Sequence, residues 1–380
     1  MDTQGKLDIL SSDAQYDLSC SCGTNDPLEQ RKRSADGSRW LYPVTTASGG
    51  AGIMLKTLMG NRCAGDCRYC PLRSSADFRP VALSSEEIVR FFLDLTTRRK
   101  LIGLFLSSAV LGTPDKTMQL LIDAARQLRV RHRYRGYIHL KIIPGCSLNA
   151  IDEAIKYASA LSLNIEVPSA RHYEQLSAYQ SWERDIAFGL NYLTQRTAKG
   201  TAGERCTTST QFIVGASDEE DREILGAVNH LYQNLGLDRS FFSAYQRGLG
   251  DSSIPGEKAS QSVIQPDLFD ISHSSGPLVR EHRLYQAEWL LRVYGFSLEE
   301  LCFSEDGNLS LLTDPKLTWA RANTGLFPLS VNRASEQELL RVPGIGPVWA
   351  KRIIALRRQG RIGSLHNLRL PANSLPYLIR

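Results

Sequence analysis

Three cysteines stand within eight residues of one another in the segment NRCAGDCRYC, where they form a C-x3-C-x2-C pattern. Thiolates are protein ligands of structural zinc and of iron–sulfur clusters, and either centre takes four ligands when it is closed. Three cysteines therefore leave one metal position for a ligand that the protein does not supply. Because an open iron is a site for chemistry, the sequence predicts a reactive metal centre at Cys63, Cys67 and Cys70.

The segment SCSCG offers further thiolates, which leaves a second interpretation open. Cys20 or Cys22 in that segment could close a structural zinc site with the three clustered cysteines. A zinc knuckle would not require the long series of strands and helices behind the cluster, so we favour the open iron centre. The isolated cysteines are interpreted as buried thiols without a chemical role, namely Cys146, Cys206 and Cys302.

Runs of apolar, β-branched and aromatic residues predict the strands that position this cluster. The six predicted strands cover residues 53–59, 101–107, 136–143, 161–167, 207–214 and 240–245. Predicted helices lie between them, near residues 84–99, 116–130, 148–160, 174–195 and 218–235. Two of these helices start with the spacing of a capping box, Ser84 with Glu87 and Ser217 with Glu220.

The alternation of strand and helix is typical of parallel βαβ units with right-handed crossovers. The predicted fold class is therefore α/β, with a partial (βα)6 TIM-type barrel and a small all-α domain at the C-terminus. In barrels of this kind the ligand site lies at the C-terminal ends of the strands. The predicted segments are an N-terminal extension at 1–44, the barrel at 45–300, a linker at 301–327 and the C-terminal domain at 328–380.

The cysteine spacing, with the aromatic Tyr69 directly before the last cysteine, resembles the radical S-adenosylmethionine (SAM) superfamily. The resemblance extends over about residues 45–300, where five further strand-helix units follow the cluster loop. It implies that the three cysteines hold a 4Fe-4S cluster and that the amine and carboxylate of SAM chelate the fourth iron. It also implies that reduction cleaves SAM to a 5′-deoxyadenosyl radical, which abstracts hydrogen from a substrate.

The strand ends supply candidate contacts to SAM, carried over from the same resemblance. After the second strand the superfamily has a Gly-Gly-Glu-like segment for the methionyl amine, and here Ser107 and Ser108 precede Ala109. This departure removes the acid, so backbone carbonyls would have to take its place. On the fifth strand Gly215 would let the backbone approach the adenine ring closely.

Polar pairs on two central strands point to the barrel interior. His139 and Lys141 are two residues apart, as are Asn164 and Glu166, so each pair shares one face of its strand. Polar side chains on a buried strand are costly unless a partner or a ligand satisfies them. We predict that Lys141, Asn164 and Glu166 contact SAM, and a structural ion pair between Lys141 and Glu166 is the alternative.

The C-terminal segment carries most of the positive charge. From residue 326 to 380 nine Lys or Arg residues stand against two acids, a charge of +7, whereas the first 325 residues sum to −2. Within it, Ser335 and Glu338 predict the start of one helix, and Pro347 starts a second helix that ends near Arg358. The turn between them exposes backbone N–H groups at a helix N-terminus, where phosphate binds favourably.

The turn sequence VPGIGP and the A-x-x-I that follows resemble the helix-hairpin-helix motif of DNA-repair and competence proteins. That motif binds the phosphate backbone of nucleic acid largely without recognising the base sequence. The resemblance implies nucleic-acid contacts at Gly344, Gly346, Lys351 and Arg352. A helical hairpin used for protein contacts is the alternative, and the charge of +7 argues against it.

A SAM-radical barrel joined to a helix-hairpin-helix module resembles a bacterial family of DNA modification or repair radical SAM proteins. The segments IHLKIIPG and REHRLYQAEWLLRVYGF agree with that family. The resemblance implies an enzyme that acts on DNA, an electron donor such as flavodoxin or ferredoxin, and a uracil-DNA-glycosylase-like partner. A radical SAM enzyme acting on RNA or a peptide, and a non-catalytic iron–sulfur protein that binds nucleic acid, remain alternatives.

Composition excludes several other classes of protein. With 380 residues, 42% of them hydrophobic and 22% charged, the chain is typical of a globular protein and not of a disordered one. The longest apolar stretch has 12 residues, which is shorter than the roughly 18 that a membrane span needs. The N-terminus lacks the basic and apolar regions of a secretory signal. We therefore expect a cytoplasmic protein without a membrane partner.

Overall fold

The computed structural model describes residues 1–14, 40–45, 50–258 and 272–380. Cys20 and Cys22 lie outside the described residues. The predicted fold class is confirmed, because a curled half-barrel of α/β type is followed in sequence by a helical hairpin, Glu336–Arg341 and Pro347–Gln359, near the C-terminus. Within the described residues, every helix is too short or too polar to cross a membrane.

One sheet of seven strands forms the half-barrel, and its strands follow one another in chain order. The first two strands pair antiparallel, and the other five pairings are parallel. The strands are β1 (Leu41–Thr45), β2 (Ala51–Leu58), β3 (Leu101–Ser107), β4 (Tyr137–Lys141), β5 (Ala160–Ser162), β6 (Thr207–Val214) and β7 (Arg239–Ala244). Since β2 to β7 run parallel, all six of their C-terminal ends meet at one rim.

Helices cross between these strands and continue into the C-terminal part of the chain. In chain order they are α1 (Thr3–Asp13), α2 (Ser85–Arg98), α3 (Pro114–Arg126), α4 (Leu148–Tyr157), α5 (Ala170–Glu174), α6 (Phe188–Thr197), α7 (Asp221–Gln233), α8 (Pro255–Lys258), α9 (Ser272–Val293), α10 (Pro315–Ala322), α11 (Glu336–Arg341) and α12 (Pro347–Gln359). Two short strands, β8 (Leu329–Ser330) and β9 (Leu378–Ile379), pair parallel beside the last helices.

Most of the six predicted strands match the sheet within two residues, and one does not. The prediction of a strand at 161–167 is wrong, because β5 ends at Ser162. Beyond it the amide of Ile165 donates to the side chain of Thr210, and Glu166 has φ +65°, a left-handed conformation that cannot continue a strand. The strand is therefore interrupted after Ser162, and the chain pairs with β6 again only at an isolated bridge between Glu166 and Phe212.

The predicted helix starts and lengths hold only in part. Ser84 and Glu87 form the predicted capping box at the start of α2. The box predicted for Ser217 and Glu220 is wrong, because α7 begins at Asp221 and the Ser217 hydroxyl donates instead to Glu219. The long helix predicted near 174–195 is divided into α5, a π-helical turn at Trp182–Ala187, and α6.

Helix α1 was not predicted, and it packs within the first of two compact units. This unit comprises Met1–Glu219 and His230–Pro277. An ion pair between Lys6 and Glu87, with 2.7 Å between nitrogen and oxygen, fixes α1 against α2. The described part of the predicted N-terminal extension therefore belongs with the barrel.

The second compact unit comprises Glu220–Asn229 and Leu278–Arg380. Its bounds differ from the predicted domain at 328–380, because the predicted linker contains α10, whose Trp319 and Ala320 are buried. Ser335 and Glu338 form the predicted capping box of α11, and the second helix of the hairpin ends one residue after the predicted Arg358. The core around the hairpin includes Val331, Leu339, Val342, Ile345, Ala350, Ile353 and Leu378.

The two glycines of the hairpin turn have different reasons to be glycine. Gly344 has φ +81°, and a Cβ there would lie 2.3 Å from Oδ1 of Asn373. Gly346 has φ −103°, which any residue can adopt, and a Cβ there would lie 3.2 Å from the Tyr294 hydroxyl. The turn therefore requires glycine at position 344 for its backbone conformation, whereas a side chain at position 346 would crowd the Tyr294 hydroxyl.

Gly344→Ala should destabilise the second unit by about 1–3 kcal/mol, since a side chain in the left-handed region is strained. The matched control is Gly325→Ala, because nothing lies within 4 Å of a Cβ at Gly325. Amide hydrogen exchange of residues 336–358 in the full chain measures the effect. Equal exchange rates in both variants would contradict the role of Gly344.

Candidate functional site

A cavity of about 200 Å³ opens at the C-terminal rim of the half-barrel. The three clustered cysteines line it, together with the last residues of strands β2, β3, β4 and β7. The cavity also contains the predicted cofactor-binding residues Tyr69, Ser107, Ser108, Lys141, Asn164 and Glu166. The structure thus brings together predicted site residues that are up to 103 positions apart in sequence, from Cys63 to Glu166.

The cysteine loop is held on one side by Asp66. Its carboxylate accepts hydrogen bonds from the Ser177 hydroxyl at 2.5 Å, the Ala178 amide at 3.0 Å and the Tyr179 amide at 3.2 Å. Burial raises the pKa of Asp66, but these three donors outweigh burial and lower the pKa below its usual value. A charged carboxylate therefore fixes the middle of the loop between Cys63 and Cys67.

Two arginines and the segment after β7 hold the other side of the loop. The Arg73 guanidinium donates to the carbonyl of Cys70 at 3.1 Å and to that of Leu249 at 2.9 Å. The carbonyl of Arg68 accepts the Asp251 amide at 2.7 Å, and its amide donates to Leu176 at 2.7 Å. The loop therefore has its path set by protein contacts on both flanks.

Backbone amides point at two of the cysteine sulfurs. Cys63 Sγ accepts from the amides of Gly65 at 3.3 Å and Val110 at 3.4 Å, and Cys70 Sγ accepts from Leu72 at 3.4 Å. Hydrogen bonds of this kind favour the thiolate over the thiol and tune the potential of a bound cluster. The loop thus supplies part of the stabilisation that charged sulfur requires.

Burial opposes the charged form of two of these thiols. It raises the pKa of Cys67 well above the usual value, and it raises that of Cys70 to about 12. The neighbouring cysteines raise the pKa of Cys67 further, whereas the charge of Lys141 lowers that of Cys70. Because a metal ligand must be deprotonated, metal binding has to displace these protons.

Two of the three sulfurs lie beside Gly65. A Cβ at Gly65 would lie 3.5 Å from Cys63 Sγ and 3.8 Å from Cys67 Sγ. Within the described residues, no group of three or more His, Cys, Asp or Glu side chains is placed to hold a metal ion. As a donor set, three thiols in one loop match a cubane with one iron left open, whereas a structural zinc takes four protein ligands.

Ser108 presents an unsatisfied polar atom to the cavity. Its hydroxyl oxygen is buried and, in the described part of the chain, has no hydrogen-bond partner. A buried hydroxyl without a partner is costly, and a ligand that accepts or donates a hydrogen bond would remove that cost. The cavity wall at Ser108 therefore fits a polar ligand such as an amino-acid group.

Glu166 occupies the cavity with a strained backbone that β6 holds in place. Its amide donates to the Gln211 carbonyl at 2.9 Å, and its own carbonyl accepts the Ile213 amide at 2.7 Å. Its φ of +65° is left-handed, and Asn164 two residues earlier is 5% exposed. Strain of this kind persists only where the surroundings impose it, and it is common at functional sites.

Gly215 does not line this cavity. It lies one residue beyond β6 with φ +89°, and its amide donates to the Glu219 carboxylate at 2.6 Å. Its carbonyl faces Gly256, where a Cβ would lie 2.4 Å from the oxygen. The glycine is required by this turn, and its contact with adenine stays a prediction.

Several residues that line the cavity were not predicted. Gln211 and Ser243 lie on β6 and β7, and Gln211 stands two positions after Ser209 in the same alternating pattern that identified Asn164. That pattern could have found Gln211. Asp13 reaches the cavity from the end of α1, where its carboxylate accepts from Asn61 at 2.8 Å, and burial raises its pKa. Nothing in the local sequence around Asp13 indicates that position.

The four predicted nucleic-acid contacts surround the hairpin turn of the second unit. Gly344 lies in the turn and Gly346 precedes α12, whose Ala350 amide is the first to donate back, to the Gly346 carbonyl at 2.9 Å. Lys351 and Arg352 are exposed on the first turns of α12, and the guanidinium of Arg352 lies 4.8 Å from the ring centroid of Trp349. The amides before Ala350 are therefore available at a basic surface.

Comparison with known proteins identifies one family model and several solved structures. The model described as helix-hairpin-helix motif matches residues 328–370. No curated protein matches the chain. Among solved structures, methylornithine synthase (PylB) is similar with a TM-score of 0.44 and 13% identity, over 61% of this chain and 61% of that one.

Two further structures extend this comparison. The FeFe-hydrogenase maturase HydG from Carboxydothermus hydrogenoformans matches with a TM-score of 0.44 and 15% identity, over 62% of this chain and 52% of that one. The cobalamin-dependent S-adenosylmethionine radical enzyme OxsB matches with a TM-score of 0.36 and 12% identity, over 83% of this chain and 51% of that one. The chain thus spans about half to three fifths of the length of these structures.

Replacing any one clustered cysteine should abolish iron binding, whereas replacing another buried cysteine should not. Cys63→Ala, Cys67→Ala and Cys70→Ala are each expected to lose the visible absorbance and the bound iron of the anaerobically reconstituted protein. Cys146→Ala is the matched control, because burial raises the pKa of Cys146 to about 12 as well, yet this thiol lies outside the cavity. Loss of iron from Cys146→Ala would contradict the ligand set.

Proposed function

We propose that the chain is a radical SAM enzyme whose 4Fe-4S cluster is held by Cys63, Cys67 and Cys70. The observation that carries the proposal is the shared cavity at the rim of the half-barrel, which the three thiols line together with Ser108, Lys141 and Glu166. When bound, the cluster would supply one electron for the reductive cleavage of SAM to a 5′-deoxyadenosyl radical. The substrate would enter the same cavity from solvent.

The chain's own residues would bind and orient the methionyl end of SAM. The Ser108 hydroxyl would accept from the ammonium group, and Lys141 would offer its charge to the carboxylate. Asn164 and Glu166 would bind the ribose or the methionyl group, since a carboxylate accepts hydrogen bonds from hydroxyl and ammonium donors. Tyr69, whose pKa is raised by burial and by the charge of Glu166, would present a neutral phenol beside the cluster loop.

Glu166→Gln should weaken SAM binding while the cluster remains intact, because the amide keeps the shape and removes the charge. A loss of about tenfold in affinity corresponds to roughly 1.4 kcal/mol, within the range for a hydrogen bond to a charged group. Equilibrium dialysis of reconstituted protein with labelled SAM measures this, and 5′-deoxyadenosine release after dithionite measures cleavage. Glu183→Gln, outside the cavity, is the control. Unchanged binding in Glu166→Gln would contradict its role.

We further propose that the substrate is DNA, bound through the helix-hairpin-helix motif. The support is the match at residues 328–370 together with the charge of +7 in the C-terminal 55 residues. The amides at the start of α12 would donate to a phosphate, and Lys351 and Arg352 would add charge beside it. A base would have to leave the duplex stack to reach a barrel cavity.

Lys351→Glu should weaken duplex binding equally for DNA of any sequence. The slope of log K against log salt should become less negative by about one or more, since fewer counterions are released. The matched control is Arg90→Glu, the same change of charge at an exposed position of α2. Fluorescence anisotropy over a salt series measures both. An equal loss in the control would mean that binding follows net charge and not the hairpin.

The same assay distinguishes DNA from the other candidate polymers. Single-stranded RNA or heparin at equal charge should not displace the duplex if the hairpin recognises the geometry of the duplex backbone.

Transfer of deuterium from labelled DNA into 5′-deoxyadenosine would test the reaction itself. Flavodoxin or ferredoxin as reductant, and a uracil-DNA-glycosylase-like partner, rest on the sequence resemblance.

A further inference from the structure

Lys316 is a buried lysine that lies against the hairpin turn of the second unit. It belongs to the first turn of α10 and is 8% exposed. Its ammonium nitrogen donates to the carbonyl of Ile345 at 2.5 Å and lies 4.6 Å from the ring centroid of Tyr294. A lysine is rarely this buried, so specific contacts hold its amino group inside the second unit.

The carbonyl that Lys316 contacts belongs to the peptide that joins Ile345 to Gly346. This peptide is trans, so its C=O and its N–H point in opposite directions. Gly346 is the N-cap residue of α12, without a side-chain cap, so its N–H belongs to the helix N-terminus where phosphate is proposed to bind. A cation on the oxygen side polarises the peptide and makes its N–H a stronger donor, as in other hydrogen-bond chains.

The surroundings of the ammonium group leave its charge adjustable. Burial lowers the pKa of Lys316 to about 7, and the carboxylate of Asp314 partly opposes that shift. Asp314 itself accepts the Leu317 amide at 3.0 Å as the N-cap of α10. A further titratable neighbour is Tyr294 on α9, whose phenol has its pKa raised by burial and whose ring lies under the nitrogen. Lys316 is therefore partly neutral in the free protein near pH 7.

We propose that Lys316 is a positioning residue of a phosphate-binding turn, and that it takes up a proton when a nucleic-acid phosphate binds at the Gly346 amide. The ammonium does not touch the phosphate. It acts through the Ile345–Gly346 peptide and by its charge. This inference rests on the proposed role of the helix-hairpin-helix motif in binding nucleic acid.

The proposal fixes the direction of a pH dependence. A bound phosphate favours the charged form of Lys316, so the pKa is higher in the complex than in the free protein. Between the two values, binding takes up a proton, and affinity falls as pH rises. The affinity for nucleic acid falls by at most tenfold per pH unit, since a single group takes up a single proton. Below the lower pKa, affinity does not change with pH.

Three variants of the full chain test this with a duplex oligonucleotide between pH 6 and pH 9 at constant ionic strength. In the unsubstituted protein, Kd should rise several-fold between pH 7 and pH 9. Lys316→Met should bind several-fold more weakly at pH 6 and lose the pH dependence. Lys316→Arg keeps a permanent charge, so it should bind well at pH 6 and also lose the pH dependence. Lys351→Met should weaken binding at every pH and retain the slope.

Several outcomes would overturn the proposal. A folded Lys316→Arg variant that keeps the pH dependence of the unsubstituted protein would exclude Lys316 as the titrating group, and this holds even if Lys316→Met fails to fold. Circular dichroism shows which variants fold. If the unsubstituted protein binds duplex with a pH-independent Kd, the role of Lys316 is wrong and the helix-hairpin-helix assignment stands. Absence of duplex binding at every pH would overturn both.

Discussion

The cost of ionising buried thiols is the constraint on which the candidate active site depends. Burial raises the pKa of both Cys67 and Cys70, so the unmetallated loop favours protonated sulfur. A metal bound there as proposed would have to displace those protons, and a loop that also had to become ordered would add conformational entropy to the cost. The carboxylate of Asp66 and the guanidinium of Arg73 hold the loop in place beforehand. The entropy is then lost when the chain folds and not when the metal binds.

Parallel strands explain why the rest of the site assembles around that loop. The pairing of Leu106 with Leu140 places Ser107 and Lys141 at the same height, and Lys141 in turn pairs with Ser162. Polar side chains at these positions would be costly in a closed core, but at an open rim they line a cavity. The bend at Glu166 extends the same wall beyond the end of β5. The position of the cavity thus follows from the direction of the strands.

The sequence predicted the regular parts of this arrangement and missed those that depend on long-range contacts. Strands β3 and β6 have their predicted bounds because β3 is almost entirely apolar and β6 is rich in β-branched residues. β5 is short because the Ile165 amide donates to the Thr210 side chain and Glu166 is left-handed, and an apolar pattern carries no such information. Asp13 and Lys316 were missed for a related reason. Each lies in a segment interpreted as an extension or a linker, and each has a role only through a partner distant in sequence, Asn61 or Ile345.

Lys316 and Lys351 differ in how solvent acts on their charge, although both lie in the hairpin module. Lys351 is exposed, so water and salt screen its field. Lys316 is removed from water, so screening is weak and the free energy of its charged form depends on nearby groups. In the proposed phosphate site, an exposed lysine such as Lys351 would attract the phosphate from a distance. A buried lysine such as Lys316 is useful only where a backbone N–H binds the phosphate, because the buried cation can then act on the peptide without competing for the phosphate.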